Sequence, residues 1–259
     1  PYTTLFRSHQ DEQPGPPLWT WNYTLYIAGL VISNSGTWVQ RIAQSWLVLE
    51  ITNGDGSALG VTTALQFTPV LLLGAWGGVM VDRLPKRQLV MVTQIGMGFL
   101  ALALAVLTTS GTVAVWHIYL LAALLGVLNV FDNPARNSLL NEIVGRANLA
   151  RAIGLSSACF NVARMAGPSL GGVLVGTAGA GIAFGINAAS YGVVIVCLCL
   201  MRTKEMTLSP LVARQKGQLR EGIRYVVGRR DLVIAMLVIA VVNSFAMNFQ
   251  LTVALISRE

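Results

Sequence analysis

Chemistry in this 259-residue chain is concentrated in a few charged and amide residues set inside apolar surroundings. Arg41 and Arg164 each lie in a long apolar run, where an Arg at the centre of a membrane helix is about 2.5 to 3.5 kcal/mol unfavourable on insertion scales. Each is therefore expected to face a cavity or a partner. Asn34, Trp38, Arg41 and Ser45 recur at helical steps and share one face. Asn129, Asp132 and Arg136 form a second polar face, and Asn161 and Arg164 a third. Asp132 and Arg136, at i and i+4, can pair with each other. Asp132 can instead titrate. Loss of water favours its protonated form and a nearby Arg its ionised form, so switching between the two would couple proton uptake and release to a change of surroundings. Its place near the cytoplasmic end of its run fits a gate equally well. Glu50 reads as an interfacial charge.

The elements that must position these residues are long apolar helices. Apolar residues make up 54% of the chain and charged ones only 11%, against about 25% charged in soluble domains. Seven stretches can each span a bilayer: 23–49, 58–81, 89–109, 113–140, 153–176, 182–201 and 232–256. About 20 helical residues cover a hydrocarbon core of roughly 30 Å. Lipid leaves backbone groups no partners, so the spans must be helices, and the runs are too continuous for an outer-membrane barrel. A cleaved signal peptide fits poorly, since Asp11 and Glu12 precede the first run.

Charge in the connections sets the expected orientation. Arg83, Lys86 and Arg87, then Arg136, Arg146 and Arg151, then the basic loop 202–231 hold nearly all the cations, while 50–57, 110–112 and 177–181 hold none. The excess of Lys and Arg marks the cytoplasmic side, which places the N-terminus there. The net charge of +7 thus reflects membrane topology, and nucleic acid is not expected as a partner. The loop's second half, 219–227, spaces apolar residues as a short surface helix. No Gly-x-x-x-x-Gly-Lys-Ser/Thr loop is present, so ATP hydrolysis by that route is disfavoured. His9, His117, Cys159, Cys197 and Cys199 make no metal site by spacing. No enzyme activity, catalytic residue, cofactor or metal is expected.

Two motifs stand out. Between the second and third runs lies Gly78-Val-Met-Val-Asp82-Arg83-Leu-Pro85-Lys86-Arg87. Gly78 admits close backbone approach, Pro85 bends the chain, Asp82 caps or pairs, and the cations stay on one side. In the fifth run Gly154, Ala163, Gly167, Pro168, Gly171 and Gly172 form a small-residue groove for another helix, with Pro168 able to kink the span. The first pattern resembles the loop signature of the major facilitator superfamily. The second resembles that superfamily's antiporter signature, with Ala163 in place of the usual second Gly. Val113 to Gly126 lacks the Arg that many drug-efflux members carry early in span four. Asp132-Asn-Pro-Ala-Arg136, Asn161 to Arg164, Asn187-Ala-Ala-Ser190 and Leu219 to Tyr225 are similar to the branch that includes macrolide-efflux proteins and the enterobactin exporter.

This resemblance implies an all-α integral membrane protein with the major facilitator fold: an N-terminal six-helix bundle plus the first helix of a truncated second bundle. Residues 1–8 look like a translated sequencing adapter, 9–22 a cytoplasmic segment, 23–201 the six-span bundle, 202–231 the loop between halves and 232–259 the seventh span of a cut chain. It further implies a bacterial inner-membrane secondary transporter that is monomeric when full length. Such a protein exports small drug-like or siderophore-like molecules by alternating access, probing each side in turn, with proton antiport. The span-five face would pack against the other half. The alternatives are an importer of the same family, or a seven-span receptor or scaffold.

Overall fold

The computed structural model describes residues 17–207, 228–231, 233, 234, 237 and 238. Five α-helices follow one another: α1 (Trp21–Ile51), α2 (Gly56–Val81), α3 (Lys86–Thr109), α4 (Val115–Ala178) and α5 (Ala180–Leu200), then a 3-10 turn at Thr203–Glu205. The Thr20 hydroxyl accepts from Tyr23 N to start α1, and the Asp55 carboxylate accepts from Ser57 N to start α2. That backbone contact holds the Asp55 carboxyl below its usual range. Four of the helices, α2 to α5, are long and apolar enough to cross a membrane.

The 64 residues of α4 are two spans. A straight helix of that length would reach about 96 Å, three times a hydrocarbon core. The break is Gly145, at φ 68° and ψ 172°, backbone that only Gly adopts without strain. Contacts with α1 give the direction of each arm. Tyr26 of α1 reaches Arg136, while Gln40 and Gln44 lie beside Ile118 and Ala122, so the first arm runs antiparallel to α1. Trp38 meets Gly167 and Ile42 meets Gly171, so the second arm runs parallel to it. The chain therefore reverses at Gly145, and the described residues form six long helical segments.

These correspond to the first six apolar runs, with one difference. The polar stretch 141–152, expected as a connection, is helical on both sides of Gly145. Glu142 and Asn148 are buried there, and Thr207 N donates to the Glu142 carbonyl. Packing by the chain after α5 compensates a segment whose polarity alone reads as loop. Pro134 and Pro168 sit within α4, where Gly145 is the one residue with non-helical backbone angles. The surface helix expected at 219–227 lies outside the described residues, as does most of the seventh run.

Two large apolar cores and a small cluster of Met97, Ala101, Leu125 and Tyr191 hold the bundle. One, with Tyr23, Val81, Val90, Leu139 and Leu198, lies toward the end where α1 begins and α5 finishes. The other, with Val48, Leu59, Leu104, Ile118 and Phe184, lies toward the opposite end. Arg83, Lys86, Arg87, Arg146 and Arg202 all gather at the first end, termed here the basic end. α2 and the second arm of α4 are covered least, with Leu71 84% and Met165 80% exposed.

Helix contacts close around particular glycines. A Cβ at Gly77 would lie 2.7 Å from the Val130 carbonyl oxygen, and one at Gly126 would overlap the Gln66 carbonyl, so α2 and the first arm of α4 touch backbone to backbone. Gly78, the glycine that its motif singles out for close approach, faces open space. Gly77→Ala is therefore expected to cost about 1–3 kcal/mol through overpacking, and Gly78→Ala about 0.5 kcal/mol or less. Thermal unfolding of the purified protein in detergent checks this; equal losses from both substitutions would contradict the packing.

Candidate functional site

Between the two apolar cores lies a layer of buried polar side chains. Its centre is Asp132, 4% exposed, on the first arm of α4. Its Oδ2 accepts from Arg136 Nε at 2.7 Å, one turn along the same helix. Its Oδ1 accepts from two α3 side chains, Thr93 Oγ1 at 2.6 Å and Gln94 Nε2 at 2.9 Å. Both donors are buried, and Gln94 is 0% exposed. All three contacts donate to the carboxylate. This matters because removing one partner of a buried pair leaves an uncompensated ion. Asp132 lies roughly 20 Å along the helix from Gly145, near the middle of the arm. Its α3 partners stand about two turns in from Lys86, where α3 starts, so Asp132 lies on the basic-end side of the bundle.

A second node joins α1 to α5. Asn187 Nδ2 donates to Gln40 Oε1 in a short bond, and Ser190 Oγ donates to the Asn187 carbonyl at 2.7 Å. Gly36 makes room for it, since a Cβ there would overlap Asn187 Oδ1. Gln40, Asn187 and Ser190 are all buried. Tyr191, one residue on, faces Asp132 and Arg136 from α5.

The remaining predicted residues fall elsewhere. Arg41 stacks over the Trp38 ring at 4.7 Å, which satisfies the cation by a ring face. Trp38 itself is buried against Gly167, so the face Asn34–Trp38–Arg41–Ser45 is not one open stripe. Asn161 and Arg164 lie on the exposed side of the second arm of α4, apart from Asp132, and Asn161 Nδ2 bonds back to the Ser157 carbonyl. Gly167 and Gly171, with buried Ala163, seat α1 of the same bundle, whereas Gly154 and Gly172 face open space.

The Gly78 to Arg87 turn works chiefly as a pair of helix caps. Lys86 is buried, and its Nζ donates to the carbonyls of Val81, Asp82 and Leu84 at 3.0 Å each. Three donors thus meet three carbonyls at the negative end of α2. Arg87 does the same for α5, with Nε to Leu198 O at 2.8 Å and Nη2 to Cys199 O at 3.2 Å. Asp82 is exposed and Arg83 half-buried. Asn22 completes the end by exchanging two bonds with the Arg202 backbone.

Thr93, Gln94 and Gln40 carry half of this layer and were not singled out by sequence. The available signal was the adjacent polar pair Thr93-Gln94 inside an apolar run, with Gln94 falling one turn before Gly98 on the α3 face that meets Tyr191 of α5. Among the described residues no group of three His, Cys, Asp or Glu could hold a metal.

Residues 17–259 match the family described as transmembrane secretion effector. The chain belongs to this family of major facilitator transporters. It is 29% identical over 211 residues to the staphyloferrin A transporter of Staphylococcus aureus, covering 79% of this chain and 52% of that protein. It is likewise 29% identical over 217 residues to the multidrug efflux pump Tap of Mycobacterium tuberculosis, covering 80% and 51%. Against the enterobactin exporter EntS of Shigella flexneri it is 26% identical over 157 residues, covering 60% and 36%. The chain spans about half the length of the first two relatives. Family and helices together give a bacterial membrane protein with the major facilitator fold, in a family of transporters.

Arg136→Ala is expected to destabilise the protein by about 3–5 kcal/mol, because it strands the Asp132 carboxylate. The double variant Asp132→Asn with Arg136→Gln removes both charges and is expected to recover most of that loss. Thermal midpoints of the two variants in detergent check this, and equal loss in both would contradict a charge origin.

Proposed function

We propose that the complete protein exports small molecules across the bacterial inner membrane by alternating access, driven by proton antiport in which Asp132 takes up the proton. The observation that carries the reading is the Asp132–Arg136 pair, buried within a membrane-capable helix and held by α3. An ionised pair at this depth is expensive unless it serves the transport path. Export is supported by the efflux pump and the exporter among the relatives, and by the span-five motif.

In this reading residues 23–201 are one six-span half, 202–231 the connection to a second half and 232–259 the seventh span. The basic end lies in the cytoplasm under the positive-inside rule. Asn34 and Arg41 of α1, with Asn161 and Arg164 of α4, face the path or the other half, and Gly154 and Gly172 offer a close-packing surface to it. Gly78, Asp82 and Arg83 belong to the turn that closes the cytoplasmic side, which Lys86 and Arg87 brace through their caps. The full-length transporter acts as a monomer in the bilayer, with protons and its substrate as its ligands and no cofactor.

The test is accumulation of labelled antibiotics and siderophores in cells expressing the full-length gene, with and without a protonophore. Proton-driven export predicts that some compound accumulates less in expressing cells, and that the protonophore abolishes the difference. Asp132→Asn is expected to abolish it too at unchanged protein level, since the amide mimics the protonated carboxyl that the cycle visits. Raised uptake on expression would establish import instead, and undiminished export in Asp132→Asn would remove Asp132 from coupling.

A further inference from the structure

Thr93 Oγ1 has two acceptors and one hydrogen. It lies 2.6 Å from Asp132 Oδ1 and 2.9 Å from the Val90 carbonyl of its own helix. A hydroxyl can donate once and accept twice, and its hydrogen turns with little hindrance. With Asp132 ionised, the hydrogen belongs on Oδ1, where a charged acceptor makes the stronger bond. With Asp132 protonated, the same hydroxyl can donate to Val90 O and accept from the new O–H. Among the side chains bonded to the carboxylate, Thr93 makes this reversal by moving a hydrogen only: Arg136 has no acceptor, and Gln94 presents its amide nitrogen and would have to turn its amide over. The Gln94 assignment is physically required, since its Oε1 turned inward would meet a carboxylate oxygen.

We propose that the Thr93 hydroxyl is a positioning group that reverses its hydrogen bond when Asp132 takes up a proton, so that the carboxyl stays satisfied in both states with no displacement of heavy atoms. The step balances simply. A proton from the aqueous phase forms an O–H bond at Oδ1, the Thr93 hydrogen swings to the Val90 carbonyl, and the charge of the Asp132–Arg136 pair goes from zero to +1. The groups facing Asp132 are Arg136 on its own helix, Tyr26 from α1 and Tyr191 from α5, while α3 brings the neutral Thr93 and Gln94. The loaded state therefore carries one uncompensated guanidinium, and that positive charge is what loading adds to the bundle. A buried carboxyl with no acceptor for its proton would be an unsatisfied donor, which is as costly as losing the charge-assisted bond from the ionised state. Thr93 removes both penalties.

This inference rests on Asp132 being the proton site, and the experiment separates the two ideas. Infrared difference spectra between high and low pH are recorded on the full-length protein in lipid nanodiscs, with Asp132→Asn as the reference that identifies the Asp132 carbonyl band. In Thr93→Val both protonation states lose a partner. The midpoint of the band is therefore expected to move by less than about half a pH unit, while its frequency rises as the acid O–H loses its acceptor. Thr93→Ser should restore the native frequency and thereby exclude a change of packing. A midpoint raised by about one pH unit or more at unchanged frequency would mean that Thr93 only donates to the anion, and would overturn the reversal. An unchanged midpoint and frequency would also overturn it. Absence of any acid band removed by Asp132→Asn would overturn both the reversal and the assignment of Asp132 as the proton site.

Discussion

A carboxylate cannot rest in the middle of a membrane span without donors around it, and much of this structure follows from that constraint. Asp132 accepts from Arg136 on its own helix and from Thr93 and Gln94 on α3, so the ion pair also fastens two spans together. The α3 donors reach it only if α3 and the first arm of α4 are set in one register. Apolar cores on either side exclude water from the layer, which strengthens each of these bonds and raises the penalty for breaking any one. The Gln40–Asn187 bond repeats the device between α1 and α5 without charge.

The ends of the helices meet the same requirement differently. Carbonyls at the ends of α2 and α5 have no helical partners, and Lys86 and Arg87, adjacent in sequence, close one end each. A turn that reads as a marker of topology thus also ties α2 to α5 at the basic end. Gly145 reverses the chain in a single residue, which leaves the flanking polar residues within helices rather than in a loop. The compact reversal places Glu142 and Asn148 against the segment that follows α5.

Much of this was legible in the sequence because hydrophobic length and helical period are local properties. Six apolar runs became six helical segments, and Asp132 and Arg136 at i, i+4 became an ion pair. Partners remote in sequence were not legible: nothing near Asp132 announces Thr93 or Gln94, because only the packing of α3 on α4 brings them together. Small residues misled for a related reason. Gly77 and Gly78 are equivalent as letters, yet the helix turns Gly77 toward Val130 and Gly78 away. Trp38 looked like part of a polar stripe because its period fits, but Gly167 opens a seat for its ring and draws it inward. Arg41 then finds that ring face instead of a carboxylate.

The central claim is that protons moving one way drive a small molecule the other way through this bundle and its second half. Its most direct test is proton movement in liposomes containing the full-length transporter, read with an entrapped pH-sensitive dye while a compound identified by cell accumulation is added outside. Antiport predicts that an inward gradient of the compound drives protons outward, that an imposed pH gradient drives the compound uphill, and that a sodium gradient has no effect. Protons and compound moving in the same direction, or transport driven by sodium alone, would contradict the account.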